Sequence, residues 1–354
     1  MDVTLKHPDA LAPDVIEAWR ELRAADARYA SPFFAPEFAA AAGKVRRDAR
    51  VLVVRGEQGM ADLILPLQLT GGMARPLGAP LCGVNGPVLS DWGPELDLPD
   101  MLAAAGIPIF SFSGWPGTRA VRGLKLRRRE GLAIANLNQG FDAWLADRCA
   151  LHPKHFAKMR RLARLAENEF GWMSVGFGPV RAKELETLVQ WKREQCERTG
   201  RHDALAQEPA RTLLDACAAE TSEAFSGLMV TMKLGGRLAA AAFCLRSGKA
   251  LHVWLAGYDP RFGACSPGLV LIEKLLERAA AEGVTDVALG DGETVFGKYY
   301  GSYHMPASDG AVTASGIAGG ARAMMANLLG AFGTGRETPA RGARPAKAKG
   351  RARG

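Results

Sequence analysis

The chain has few of the residues that mark a metal centre, a secreted scaffold or a membrane protein. Its six cysteines, Cys82, Cys149, Cys196, Cys217, Cys244 and Cys265, stand far apart and none forms a CxxC pair. Neither a zinc site nor a disulfide framework is indicated, and reduced thiols in a cytoplasmic protein are the simplest reading. No run approaches the ~18 uninterrupted apolar residues of a membrane-spanning helix. The opening residues, Met1 to Lys6, show no basic segment followed by an apolar one, so no secretory leader is expected. GxSxG and HExxH are both missing, which sets aside serine-hydrolase and zinc-protease chemistry. Of the six histidines, His252 lies inside an apolar strand pattern and reads as packed. His304, four residues from Tyr300, is an additional candidate base.

What is present is ordinary globular material. The 354 residues suffice for two domains with their own cores, with 48% hydrophobic and 23% charged residues. Six of the eight net positive charges fall in residues 336–354, where seven Lys/Arg meet only Glu337. The body is therefore nearly neutral and the basicity is a low-complexity tail, expected to be disordered.

Along the chain, Val15, Ile16, Trp19 and Leu22 mark a helix over 14–29, followed by the turn Ser31-Pro32-Phe33-Phe34 and a short helix over 36–42. Runs 51–54 and 60–69 flank Gly56-Glu57-Gln58-Gly59 as a hairpin. Residues 71–95 read as Gly/Pro-rich loop with short strands, then helix 101–105 and strands 107–113 and 132–134. A bridging helix spans 141–149, and a domain boundary is placed near 140–153. The second domain opens with a basic helix over 154–165, then strand 172–177, helices 180–197 and 207–220, and strands 227–234, 237–246 and 250–257. Gly235-Gly236 is a two-residue hairpin turn requiring positive φ. The two hairpins, 51–69 and 228–246, share an outline, which points to two related units in tandem. Ile317, Met324, Met325, Leu328 and Phe332 predict an amphipathic helix within 311–335.

Residues 250–301 carry the chemistry. An apolar strand ends near Gly257; Ser266 is the expected side-chain N-cap and Pro267 the first residue of a helix reaching Ala281; Gly283 ends it, and a strand over 284–289 follows. A strand–helix–strand crossover is parallel and right-handed, and it leaves a helix N-terminus beside a strand's C-terminal end, suited to a phosphate or pyrophosphate. Gly292 to Lys298 fits seven positions of GxxxxGK[ST], but Tyr299 at the eighth excludes a magnesium-binding P-loop. Lys154, Lys158 and Arg161 share one helix face. That face reads either as solvated or as a cradle for phosphates of a nucleotide-sugar or lipid-linked saccharide. The body shows no nucleic-acid motif, so no specific nucleic-acid partner is expected.

The order of strand, TyrAspPro (258–260), SerProGly (266–268), helix, strand, GlyAspGlyGlu (290–293), Lys298 and Tyr299 resembles the carboxy-terminal core of CelD/BcsL-type acetyltransferases. These belong to the Gcn5-related N-acetyltransferase superfamily and are related to the Fem peptidyltransferases. Trp19, the SerProPhePhe turn and LeuProLeu at 65–67 resemble the amino-terminal half of the same family.

The resemblance implies an α/β (α+β) fold of two tandem acetyltransferase-like domains, each a mixed, mostly antiparallel sheet flanked by helices. A degenerate unit would span 1–150 and the working one 151–310, ahead of the helix at 311–335 and the tail at 336–354. It implies acetyl-CoA as donor, no metal, and an amino sugar of an exopolysaccharide or cell-envelope polymer as acceptor. Ser266, Pro267 and Gly268 would face the carrier's pyrophosphate. Apart from the resemblance, direct acyl transfer from a thioester to an amine needs a base, oxyanion donors and an acid: Asp291 or Glu293 would take the amine proton, Tyr258, Tyr299 or Tyr303 would protonate the thiolate, and Lys298, with Lys154, Lys158 and Arg161, would hold anionic groups of the substrate or carrier. The family's strand aspartate and Tyr-Lys pair are replaced here by Ala288/Leu289 and Phe296-Gly297-Lys298. Two alternatives stand beside this reading: a Fem-like transferase using aminoacyl-tRNA, and a non-catalytic regulatory or scaffolding module whose basic tail is held at acidic lipid, such as the inner membrane face, or at nucleic acid.

Overall fold

A computed structural model describes residues 2–56, 59–90, 97–116 and 125–316. The first half contains strands β1 (Asp2–Lys6), β2 (Ala49–Arg55), β3 (Ala61–Thr70), β4 (Met73–Pro76), β5 (Val88–Leu89), β6 (Ile109–Trp115) and β7 (Lys125–Asn136). Its helices are α1 (Pro13–Ala25), α2 (Pro36–Val45) and α3 (Leu98–Ala104). Helices α4 (Phe141–Leu151) and α5 (Pro153–Phe170) lead into the second half. There β8 (Met173–Pro179), α6 (Ala182–Thr199), α7 (Glu208–Ala218), β9 (Ser226–Leu234), β10 (Arg237–Ser247) and β11 (Ala250–Tyr258) precede the crossover. The crossover is α8 (Pro267–Ala281) and β12 (Asp286–Asp291), followed by α9 (Val295–Tyr300) and β13 (Tyr303–Thr313).

All thirteen strands form one sheet in the order β1-β2-β3-β4-β6-β13-β7-β12-β11-β10-β9-β8, with β5 on β3. The order has the same plan from either edge. Each half is a meander of antiparallel strands ending in one parallel pair, β4 with β6 and β11 with β12. The final strands are exchanged at the centre: β13 of the second half pairs with β6, β7 of the first pairs with β12, and the two pair with each other. The tandem arrangement expected from the hairpins is thus present, and its two units share their middle strands.

Helix α8 shows why the crossover holds. Pro267 starts it, and Gly283 at φ 75° closes it with Val284 N–H on the Ala279 carbonyl (3.0 Å) and Gly283 N–H on Ala280 (3.1 Å). Leu271, Ile272, Leu275 and Leu276 are fully buried against the sheet. Their burial contributes about 6–12 kcal/mol gross. A second apolar cluster, on the opposite face, joins Trp19, Phe33, Phe34 and Phe38 of the first half to Leu188, Leu214, Phe243 and Trp254 of the second.

The structure corrects several expectations. β1 and β13 were not foreseen. Pro306, Ser308, Asp309 and Gly310 have low strand propensity, yet β13 is hydrogen-bonded on both sides, and Pro306 falls where its register with β7 shifts between Met305 and Ala307. Consequently 311–313 is strand rather than the start of the helix placed at 311–335; the rest of that helix, and the tail 336–354, lie outside the described residues. β11 runs on to Tyr258, β12 begins at Asp286 rather than 284, and Lys298 sits in α9 rather than in a loop. Ser266 occupies the N-cap position with φ 50° and ψ 52°, and its hydroxyl caps nothing. Its N–H is taken by Gly263 (3.1 Å) in the preceding 3-10 turn, and its carbonyl, not its side chain, receives Leu269 N–H (3.0 Å) and Val270 N–H (3.3 Å).

Candidate acyl-donor cleft

Strands β11 and β12 pair only over Ala250 to His252, opposite Asp286 to Ala288. Beyond that point they separate, and a bulge stands on each side. On β11, Cys244 pairs with Val253 and Phe243 with Leu255, leaving Trp254 as the extra residue. On β12, the register with β7 shifts between Ala288 and Asp291, where Gly290 has φ 89°. The result is an opening between two parallel strands that exposes main-chain N–H groups at the C-terminal end of β11.

The N-terminus of α8 stands at this opening. Pro267 has no N–H, and Leu269 and Val270 are engaged by Ser266, so Gly268 supplies the one first-turn N–H without a partner among the described residues. The ring of Tyr258, at the end of β11 and 40% exposed, lies beside it: a Cβ on Gly268 would be 3.4 Å from Tyr258 Cδ1. The intervening turn is held by Asp259, which is buried and accepts the Arg261 N–H (2.9 Å) and its guanidinium. Those hydrogen bonds lower the Asp259 pKa. Helix α6 closes one side, with Leu188, Trp191 and Lys192 against Gly257.

Asp291 and Glu293 occupy the turn after β12. Asp291 Oδ1 accepts Glu293 N–H (3.0 Å), and its carbonyl accepts Thr294 Oγ1–H (2.7 Å). Gly292 donates its N–H to the Gly131 carbonyl of β7 (2.9 Å), and the His304 ring lies over Gly292. The structure therefore brings Asp291, Glu293 and His304 together. Gly297 is required by packing: a Cβ there would be 2.5 Å from the Gly292 carbonyl, because the backbone of α9 rests on that turn. The partial P-loop spacing of Gly292 and Gly297 follows from this contact rather than from phosphate binding.

Tyr299 faces the start of α5. Its ring stacks on His155 at 3.8 Å and 6°, meets His152 at 5.2 Å, and carries Lys298 Nζ 5.3 Å from its centroid. Burial, then the neighbouring His152 and Lys158, lower the His155 pKa to about 4. Lys154, Lys158 and Arg161 are exposed, and none has an ion-pair partner among the described residues. Sequence reasoning missed His155 and Tyr300, whose hydroxyl donates to the Leu269 carbonyl (3.1 Å) and so ties α9 to the first turn of α8. The adjacent Tyr299-Tyr300 pair was the available signal. Two surface cavities adjoin these helices, one of about 250 Å³ between α5 and α8 that reaches Val270 and one of about 410 Å³ between α6 and α7.

These features define a tandem acetyltransferase-type fold with an open parallel strand pair and a helix N-terminus beside it. Residues 153–299 match the family described as Acetyltransferase (GNAT) domain. Among solved structures, the chain is similar to the C-terminal domain of an Agrobacterium fabrum protein described as a lysylphosphatidylglycerol synthetase (14% identity, TM-score 0.50, 90% of this chain and 95% of that one). It is also similar to FemX (12%, 0.51, 87% and 97%) and to a conserved Bacteroides thetaiotaomicron protein of unknown function (10%, 0.51, 88% and 100%). At these identities the likeness is one of fold. No curated protein sequence matches the chain. Among the described residues, no helix is long and apolar enough to cross a membrane, and no group of His, Cys, Asp and Glu is placed to hold a metal.

Proposed function

We propose that the chain is an N-acyltransferase of the CelD/BcsL type that moves an acetyl group from acetyl-CoA to the amine of an amino sugar in a surface or envelope polysaccharide. The observation that carries this reading is the opening between β11 and β12 with the free Gly268 N–H at the positive end of a fifteen-residue helix. These groups fit a diphosphate-bearing thioester carrier, with Ser266, Pro267 and Gly268 at its anionic part. Bound acetyl-CoA supplies an activated acyl group.

The chain's residues then act on protons and charge. Asp291 or Glu293 takes the proton of the attacking amine, directly or through His304 or water, so that nitrogen is neutral when the new C–N bond forms. Main-chain N–H groups at the end of β11 stabilise the oxyanion. The hydroxyl of Tyr258 or Tyr299 gives its proton to the departing sulfur as the C–S bond breaks. Lys298, Lys154, Lys158 and Arg161 hold anionic groups of the acceptor. The unit at 151–310 does this work; 1–150 supports it, and the tail at 336–354 meets acidic membrane surfaces.

Calorimetric titration with acetyl-CoA, paired with transfer of labelled acetyl to a panel of amino sugars, tests the reading. Micromolar binding is expected, weakened at least about tenfold by Gly268→Phe, whose side chain blocks an anion's approach to the N–H at that position and so forfeits a charge-assisted hydrogen bond. No binding at millimolar concentration, or binding indifferent to that change, overturns it.

A second reading is favoured by one observation: a single free amide is a sparse site for a pyrophosphate, whereas the α5 face beside Tyr299 offers unpaired cations. An aminoacyl-tRNA donor fits that surface. Retention of charged tRNA, and not acetyl-CoA, by the purified protein selects it.

A further inference from the structure

We infer that the first half positions the acyl-donor cleft of the second half through two hydrogen bonds, a buried one between Ser31 and His252 and a half-buried one from Trp254 to the Leu81 carbonyl. The inference rests on the cleft assignment above and gives the first half a role in it.

His252 is the last residue of β11 paired to β12, and Trp254 is the bulged residue just beyond. The place where the strands part is therefore set by two consecutive same-face side chains. Both end on first-half atoms. Ser31 Oγ is 3.0 Å from His252 Nδ1, and Trp254 Nε1 donates to the Leu81 carbonyl at 3.0 Å. Phe33 sits between them, edge-on to His252 at 4.7 Å and to Trp254 at 5.2 Å.

The supports are themselves fixed. Arg23 donates to the carbonyls of Tyr29 (2.9 Å) and Ala30 (2.7 Å), and to Ser247 Oγ (2.9 Å) at the end of β10. The loop carrying Leu81 is pinned to β3 by buried Gln68, which accepts Gly78 N–H (3.0 Å) and donates to the Ala79 carbonyl (3.2 Å). In the first half this loop opens the connection between the parallel strands β4 and β6, as the turn before α8 does between β11 and β12. There the parallel pairing shrinks to Ala74 with Phe110, and α3 has only seven residues. A bulge left unsupported relaxes toward regular pairing, so removing either bond should let Val253 to Tyr258 move.

Ser31→Ala and Trp254→Phe, singly and together, test this in the full chain, with Phe110→Leu in the distant first-half core as a control of lowered stability. Amide hydrogen exchange on the free protein reads the brace without any donor. About tenfold faster exchange over 253–258 is expected in the first two variants, not in the control. Calorimetry with acetyl-CoA then reads the positioning: affinity falls by about tenfold, restored by Ser31→Thr, while Phe110→Leu leaves it unchanged. Unchanged exchange over 253–258 overturns the brace. Faster exchange with unchanged affinity overturns the positioning role. Wild-type protein that binds no acetyl-CoA overturns the donor assignment, leaving the exchange result to decide the brace alone.

Discussion

Gly131 and Gly290 offer a matched pair of substitutions. Their φ values are 88° and 89°, so an alanine meets the same backbone penalty at either, about 1–3 kcal/mol. Their surroundings differ. A Cβ on Gly290 meets nothing within 4 Å, whereas one on Gly131 falls 1.8 Å from the Met305 carbonyl oxygen, 2.8 Å from its carbon and 2.9 Å from Ala307 N. To reach an ordinary contact, β13 must withdraw from β7 by about 1.5 Å. That movement strains the central strand pair and draws the Gly131 carbonyl away from Gly292 N–H. Overpacking costs about 1–3 kcal/mol and the lost buried hydrogen bond about 0.5–1.5. Gly131→Ala should therefore be less stable than Gly290→Ala by about 2–4 kcal/mol. Urea unfolding of the two variants side by side measures the difference. A gap under about 1 kcal/mol refutes the claim that the exchanged strands approach too closely for any side chain at 131.

Burial of His252 lowers its pKa to about 3, against about 6.5 in an unfolded chain. Between those values the unfolded chain binds a proton the folded one excludes, so stability should fall as pH drops from about 6.5 towards 3, by about 1 kcal/mol per pH unit. His252→Gln should flatten that slope in denaturation curves taken between pH 7 and 5, and an unchanged slope contradicts the assignment. Tyr299→Phe keeps the stack on His155 and removes only a hydroxyl, as Tyr258→Phe does at the end of β11. Whichever lowers kcat by about 10²-fold or more, with donor affinity retained, is the acid, and two silent variants exclude both. Exchanging Lys154, Lys158 and Arg161 for alanine should leave unfolding within about 0.5 kcal/mol while raising the acceptor KM in a salt-dependent way. An unmoved KM returns that face to the solvent. Deleting 336–354 should spare turnover and abolish binding to vesicles of acidic lipid; loss of turnover contradicts the tail's assignment.

The elements of the second half were legible because each carries its own signal. The 3-and-4 spacing after Pro267, the alternation in β9 to β11 and the Gly235-Gly236 turn are consequences of local geometry. They placed the crossover to within a few residues. Asp291, Glu293 and Tyr258 were likewise readable as polar residues following buried strands. Where local signals failed, the cause was tertiary. β13 looks like a loop because its stability comes from partners on both sides rather than from its own residues. Ser266 looks like an ordinary cap, yet the 3-10 turn before it forces a left-handed conformation and turns its hydroxyl away from the helix.

By itself, then, the sequence determined that the chain is a mixed α/β protein with two similar hairpins, a parallel crossover opening on a helix N-terminus, and a basic end. Only the tertiary structure decided that β7 and β13 change places, that Trp254 is the bulged residue, and that Ser31 and Leu81 reach it from the other half. The reason is physical. Periodicity and turn chemistry report interactions within a few residues, whereas these contacts join positions some 170 to 220 residues apart, which come together only when the whole sheet has formed.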